Sequence, residues 1–409
     1  MDSLSLASPT ALPTDLAALP ELLAYTQSLG LEPYLHRPKR GIPTLALALL
    51  WLCLAWRGSG RPYHLGHYEE PLLAALIGRH RIPSDQTLYR SLAYFSAHAL
   101  RAAVEETYLR SRAAVPGRVW VAVDTHQVPY WGRGKLTQFQ KGWSGSHSRR
   151  LRGYRVLLAV DTETGQVITF ALARGKVRDQ RLIALLARRL RRLLGTQLAG
   201  IVADCGFTSK RSVAALIETG VPFILGFARS RPMRRRLAGL SPQQRGWIRK
   251  GGAVRLGACP WDDRLRLFAL GARSPTDKRG PWVYVTSLRS AGPQFLATTY
   301  RQRWRAEQAI EESLNGHDLD HLVSYRLHPN RIAIGFRLLA RNLAIGLQIT
   351  QAQGRPETIR EPRAFCAEHV DGLGAFVQRG PMLFLTPLRP QPQQSYTLPW
   401  TQLIVQVAA

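Results

Sequence analysis

The sequence predicts an α/β protein: a mixed-sheet core carrying a β-rich insertion and preceded by an all-helical N-terminal domain. Three observations lead there. Residues 1–115 show helical spacing of apolar residues between Gly/Pro-containing turns. From Pro116 the pattern changes to short apolar strands alternating with amphipathic helices. Residues 228–289 then mix basic loops with strand-like pieces before helices return.

In the N-terminal part, helices are expected over Asp15–Gly30, Pro43–Trp56, Pro71–Gly78 and Asp85–Arg112. The segment Ile82-Pro83-Ser84-Asp85 is a capped helix start. It suits the recognition helix of a helix-turn-helix or, equally, a plain amphipathic helix in a small bundle.

In the core, Arg118–Asp124 is a nearly continuous apolar strand ending on an acid. Tyr154–Asp161 and Val167–Ala173 form a hairpin around Thr162-Glu163-Thr164-Gly165. Arg178–Leu194 places Leu182, Leu186, Leu190 and Leu193 at helical spacing, with arginines on the remaining surface. A buried-type strand, Gly200–Asp204, precedes a helix over Ser209–Glu218, a stop at Gly220 and a strand over Val221–Phe227. The order β-β-β-α-β-α-β is an RNase H-like layout.

Within the insertion, basic loops (Arg229, Arg231, Arg234 to Arg236) alternate with strands at Ala253–Cys259, Leu265–Gly271 and Trp282–Leu288. Pro293 suits the first position of a long helix running to about Leu314, and Arg331–Gln351 is a further helix. The expected domains are a helical DNA-binding domain over 1–115, the core in two parts over 116–227 and 290–352, the insertion over 228–289, and a Pro- and Gln-rich tail without strong pattern over 353–409.

Composition narrows the partner. A chain of 409 residues suggests two or three domains, and 45% hydrophobic residues supply packed cores. Lys and Arg total 56 against 27 Asp and Glu, a formal charge of +29. Such an excess favours polyanions, because each phosphate contact releases condensed counterions. Arginine supplies most of the charge, which suits bidentate phosphate contacts. The four cysteines are scattered without a C-x-x-C pair, which points to neither a disulfide framework nor a zinc site and fits a reducing compartment. No signal peptide is readable, and the apolar run Ile42–Trp56 is shorter than the ~20 residues that span a bilayer. Of the three polyanions such a charge could meet, DNA, RNA or an acidic membrane, the expectation is a nucleic acid and no membrane, bound by a cytoplasmic, nucleoid-associated protein.

Three acids carry the candidate chemistry. Phosphodiester cleavage by two metal ions needs carboxylates from distant parts of the chain, and Mg²⁺ takes oxygen ligands. Asp124 and Asp204 each end an apolar strand; a capping or turn role is the alternative for either. Tyr300, Arg303, Trp304 and Glu307 follow the spacing i, i+3, i+4, i+7 and would share one helical face. That face suits a metal ligand (Glu307), a phosphate contact (Arg303) and a phenol nearby, or else a solvated face with an Arg303–Glu307 ion pair. Glu311, one turn further, is the rival third ligand. Asp161, Asp262 and Asp263 are expected in turns, Asp179 as a capping acid, and His126 in a turn. Between 130 and 152, Tyr130, Trp131, Lys135, Lys141, Trp143, Arg149, Arg150 and Arg152 mix cations with aromatics among glycines, the groups that grip a backbone and stack on unpaired bases.

These blocks resemble the DDE transposases of bacterial insertion sequences, in the group named for insertion sequence four. Asp124-Thr125-His126 with Val128-Pro129-Tyr130-Trp131-Gly132 is similar to that group's first block, Ala203-Asp204-Cys205-Gly206-Phe207 to its Asp-x-Gly-Phe block, and Tyr300 to Glu307 to its Tyr-x-x-Arg-x-x-x-Glu helix. The resemblance spans roughly residues 118–345. It implies that Asp124, Asp204 and Glu307 bind two Mg²⁺ ions, for which Mn²⁺ can substitute. It further implies that Tyr300 and Arg303 contact DNA near the cut. The enzyme would then act as a homodimer on terminal inverted repeats and target DNA. The sequence departs from the group at Leu314, where a Lys is usual, and at Cys205 and Thr208. Another RNase H-like nuclease or resolvase, or a non-catalytic DNA-binding derivative of a transposase, would share most of these features.

Overall fold

The computed structural model describes residues 11–37, 41–63, 71–133, 139–144, 148–228, 230–271, 281–388 and 393–407. They form two compact units, one of residues 1–115 with 311–409, the other of residues 116–310. This grouping returns the end of the chain to the N-terminal helices.

The first unit opens with strand β1 (Leu12–Thr14) and helices Leu19–Ser28, Glu32–Leu35, Thr44–Trp56 and Pro71–Leu76. The single helix expected over Asp85–Arg112 is broken. Asp85–Ser91 ends in a 3₁₀ turn at Leu92–Tyr94, and Ser96 caps a new helix, Ala97–Arg112, by accepting from the Ala99 N–H at 3.3 Å. Ser84 caps Asp85–Ser91 as its sequence predicts.

The second unit is the RNase H-like core. Strands β2 (Val119–Pro129), β3 (Gln140–Ser144), β4 (Arg149–Asp161), β5 (Val167–Arg174), β6 (Leu198–Ala203) and β7 (Phe223–Phe227) form one sheet with β8 (Ala253–Cys259), β9 (Asp262–Leu270) and β10 (Trp282–Thr286). Its order is β3–β4–β2–β6–β7–β10–β9–β8, and β5 shares the outer edge of β4 with β3. β2 runs antiparallel to β4 and parallel to β6, which is parallel to β7. Helices Ile183–Leu194 and Lys210–Thr219 connect β5 to β6 and β6 to β7.

The stretch after residue 228, expected as a β-rich insertion, adds its strands to the core sheet: β10 pairs antiparallel with β7, so β8 to β10 extend that sheet. The basic stretches expected as loops are largely helices, Arg231–Ala238 and Pro242–Arg249. The signal was legible, because Ser241 caps the second with Pro242 following and Gln244 completing a capping box.

The long helix expected from Pro293 is also divided. It stops at Arg301 and restarts at Trp304. At the break the N–H groups of Gln302, Arg303, Arg305 and Ala306 donate to carbonyls three residues back, a tightened 3₁₀ path that turns the chain.

Back in the first unit, Leu327–Gln351 is long and apolar enough to cross a membrane, yet its apolar window is wholly buried. It packs against Ala97–Arg112 and Thr44–Trp56, and Trp56 Nε1 donates to the Ala340 carbonyl at 3.0 Å. The tail expected to be patternless carries helix Pro362–His369 and strands β11 (Gly374–Arg379), β12 (Met382–Pro387), β13 (Gln394–Leu398) and β14 (Leu403–Val407). With β1 they form a second sheet in the order β1–β11–β12–β14–β13.

Candidate active site

The parallel pairing of β2 with β6 runs to Val123 opposite Ala203. The next residues on the two strands are Asp124 and Asp204. Asp124 does not end its strand: β2 continues to Pro129 because β4 still pairs along its other edge. What ends is β6, where the chain turns at Asp204, so the acid on β2 lies beside the end of its neighbour. Asp204 caps the 3₁₀ turn Cys205–Phe207, its Oδ1 accepting from the Gly206 N–H at 2.8 Å. Thr208 anchors that turn to β7 by donating to the Gly226 carbonyl at 2.6 Å.

Gly226 explains the close fit. A Cβ there would lie 2.7 Å from the Cys205 nitrogen. Only a residue without a side chain admits the Asp204 turn so near β7. Across from Gly226 on β10 stands Tyr284. Its ring meets that of Tyr300 at 4.0 Å between centroids, and burial pushes both phenols well above the ordinary tyrosine range. Tyr284 was not among the sequence candidates; its only sequence signal is an aromatic in a strand.

Arg303 joins the acids. Its guanidinium lies 3.7 Å from Asp124 Oδ2 and 2.5 Å from Glu307 Oε1. Its charge is held although burial opposes it, with Tyr300, Glu307 and Asp124 acting the other way. Burial lifts the Asp124 carboxyl to about 7; Asp204 and Glu307 add to the rise, while Arg303 and the Thr125 N–H oppose it. Burial likewise raises Asp204, with Asp179 adding to the rise and Arg303 and the Gly206 N–H countering it. The site therefore sets two aspartates in poor contact with water beside an exposed glutamate, with one guanidinium among them.

Such a set has the donor chemistry for divalent ions, since hard cations take carboxylate oxygens and relieve their repulsion. As the side chains stand, no three of the His, Cys, Asp and Glu among the described residues are grouped to hold an ion. The physical reason is Arg303, which bridges Asp124 and Glu307. Glu307 is the adaptable member, with half its side chain exposed.

The remaining candidates separate. The break after Arg301 splits the face expected to carry Tyr300, Arg303, Trp304 and Glu307. Tyr300 turns inward onto Tyr284, whereas Trp304 is exposed with the Arg305 guanidinium 4.6 Å over its ring. Glu312 pairs with Arg341, and Glu311 is exposed. His126 lies within β2 rather than in a turn. Asp179 is no simple cap: Arg155 donates to both its oxygens at 2.7 and 2.8 Å.

Part of the 130–152 segment is a strand pair. In β3 and β4, Lys141 opposes Arg152 and Trp143 opposes Arg150. Lys141, Trp143, Arg149 and Arg150 are all exposed. Tyr130 instead stacks on Phe139 at 4.1 Å. Lys135 lies outside the described residues.

No curated protein matches the chain. Among solved structures, the chain is similar to the piggyBac transposase synaptic complex with hairpin DNA, at 13% identity and a TM-score of 0.47, covering 85% of this chain and 76% of that one. Residues 117–343, more than half of the chain, match the family described as the transposase DDE domain, and the chain belongs to that family.

Proposed function

We propose that this transposase cuts double-stranded DNA at the terminal inverted repeats of its own element and joins the freed 3′-OH to target DNA, acting as a homodimer in the cytoplasm. The observation that carries the reading is the juxtaposition of Asp124 and Asp204 on neighbouring parallel strands, with Arg303 and Glu307 beside them.

Asp124, Asp204 and Glu307 would hold two Mg²⁺ ions, or Mn²⁺ in their place. When bound, those ions supply activation of the attacking oxygen and stabilisation of the departing one. The chain's own residues do the rest. Asp124 and Asp204 each lie close to other carboxylates, a repulsion that bound positive charge would relieve. Arg303 is placed to exchange a carboxylate for a phosphate oxygen, fixing the scissile group by a charge-assisted hydrogen bond. Tyr300, which lies beside Arg303 and packs on Tyr284, would help keep that guanidinium in position. Lys141, Trp143, Arg149 and Arg150 offer cations and an aromatic face to the backbone and bases of a DNA end. No Ser or Tyr nucleophile is needed.

The test is single-turnover cleavage of a labelled duplex ending in the element's repeat, identified from the DNA flanking the gene, with Mg²⁺ present. Asp124→Asn, Asp204→Asn and Glu307→Gln should each lose cleavage by at least about 10³-fold while keeping DNA affinity, because charge is removed with little volume. Binding without cleavage by the unaltered protein would overturn the catalytic reading in favour of a DNA-binding derivative. Nicking without strand transfer would favour a nuclease or resolvase.

A further inference from the structure

Away from the acids, the unit of residues 116–310 carries a cleft of 640 Å³ lined by Arg178, Arg181 and Arg211, with Ser209 and Ser212 beside them. The arginines come from two separate segments, one around the 3₁₀ turn Asp179–Arg181 and one at the start of helix Lys210–Thr219. Arg178, Arg181 and Arg211 are all exposed, and among the described residues none of the three is in an ion pair. The acid of that stretch, Asp179, is bound to Arg155 and does not line the cleft. Ser209 and Ser212 are occupied with each other in a capping box, which leaves three uncompensated guanidinium groups as the chemistry on offer.

The cleft adjoins the catalytic edge. Gln180 Nε2 donates to the Thr208 carbonyl at 3.4 Å, tying its wall to the turn that starts at Asp204. A Cβ on Gly206 would lie 3.0 Å from Asp204 Oδ1 and 3.5 Å from Asp179 Oδ2. Asp179, flanked in the chain by the cleft residues Arg178 and Gln180, thus stands close to the acid after β6. Guanidinium groups recognise phosphates by paired hydrogen bonds, and phosphate contacts carry no sequence information.

We infer that the Arg178–Arg181–Arg211 cleft binds backbone phosphates of duplex DNA, independently of sequence, alongside the strand processed at Asp204. The inference rests on the transposase reading and adds a surface to it.

Affinity for a duplex of random sequence and for a terminal-repeat duplex, titrated over a range of salt, tests it with the full chain. Replacing Arg178, Arg181 and Arg211 together by Ser should lower the slope of log affinity against log salt by about 2–3, at about 0.9 for each phosphate no longer neutralised. Both duplexes should weaken by the same factor, at least about 10-fold. Arg188→Ser with Arg192→Ser, on the surface of helix Ile183–Leu194, should change the slope less per charge removed. Should the triple variant fold poorly, Arg211→Gln alone should lower the slope by about 1. An unchanged slope, a change per charge no larger than that of Arg188 and Arg192, or a loss confined to the terminal-repeat duplex would overturn the inference. If the unaltered protein binds and cleaves DNA while the slope stays unchanged, this inference alone falls. If the unaltered protein binds no duplex, the transposase reading falls with it.

Discussion

Arg303 and Asp124 are paired at 3.7 Å, so the guanidinium acts as the counter-charge of an acid that burial disfavours. Arg303→Ala should therefore leave the carboxylates more dependent on added cations. Without divalent ions the variant should lose about 1–3 kcal/mol of stability. Adding Mg²⁺ should raise its melting temperature more than that of the unaltered protein, because the ion binds the folded state. Equal shifts in the two proteins would show that Arg303 and the ion do not share a site.

Gly226 sets the distance between β7 and the Asp204 turn. Gly226→Ala forces backbone apart, since the atoms it meets are main-chain and cannot rotate away. The expected cost is about 1–3 kcal/mol, with cleavage falling more than DNA affinity. Unaltered cleavage in a stably folded Gly226→Ala protein would mean that the turn tolerates displacement.

Arg155 and Asp179 form an ion pair whose side chains are only 10% and 15% exposed. Removing one partner strands the other, so Arg155→Met or Asp179→Leu should each cost about 3–5 kcal/mol. The double variant should cost less than the sum of the two, because neither charge then remains unpaired. Strict additivity by urea denaturation would show the pair to be energetically idle.

His317 makes stability pH-dependent. Burial lowers its pKa to about 4; the Ala55 carbonyl opposes this, while Arg341, Arg337 and Arg363 add to it. Its Nδ1 lies 2.9 Å from that carbonyl, and its Nε2 is buried without a hydrogen-bond partner. The folded value lies below the unfolded one near 6.5, so protons bind preferentially to the unfolded chain. The contribution is complete above about pH 6.5 and is lost as pH falls towards 4, by at most about 3 kcal/mol. Urea denaturation at about pH 7 and about pH 4.5 should show His317→Gln losing less stability on acidification than the unaltered protein. Equal losses would assign the acid sensitivity elsewhere.

The amino-acid sequence by itself determined the order of core elements, because apolar runs and helical spacing are local properties that survive burial. It also determined the capped start at Ser84 and the positions of Asp124, Asp204, Arg303 and Glu307 in the chain. Tertiary structure decided which of these residues meet. β2 reads as ending at Asp124 only until β4 is seen to pair along it as far as Pro129. The same applies to β8–β10, which are strands by composition but join the core sheet only through the pairing of β10 with β7. The tail looked without strong pattern because its strands are short, and its sheet is completed by a strand far away in sequence, β1, which pairs with β11. The break before Trp304 and the Tyr284–Tyr300 contact have no local signature either. Both depend on what the helix packs against, and side-chain spacing along one segment carries no information about its neighbours.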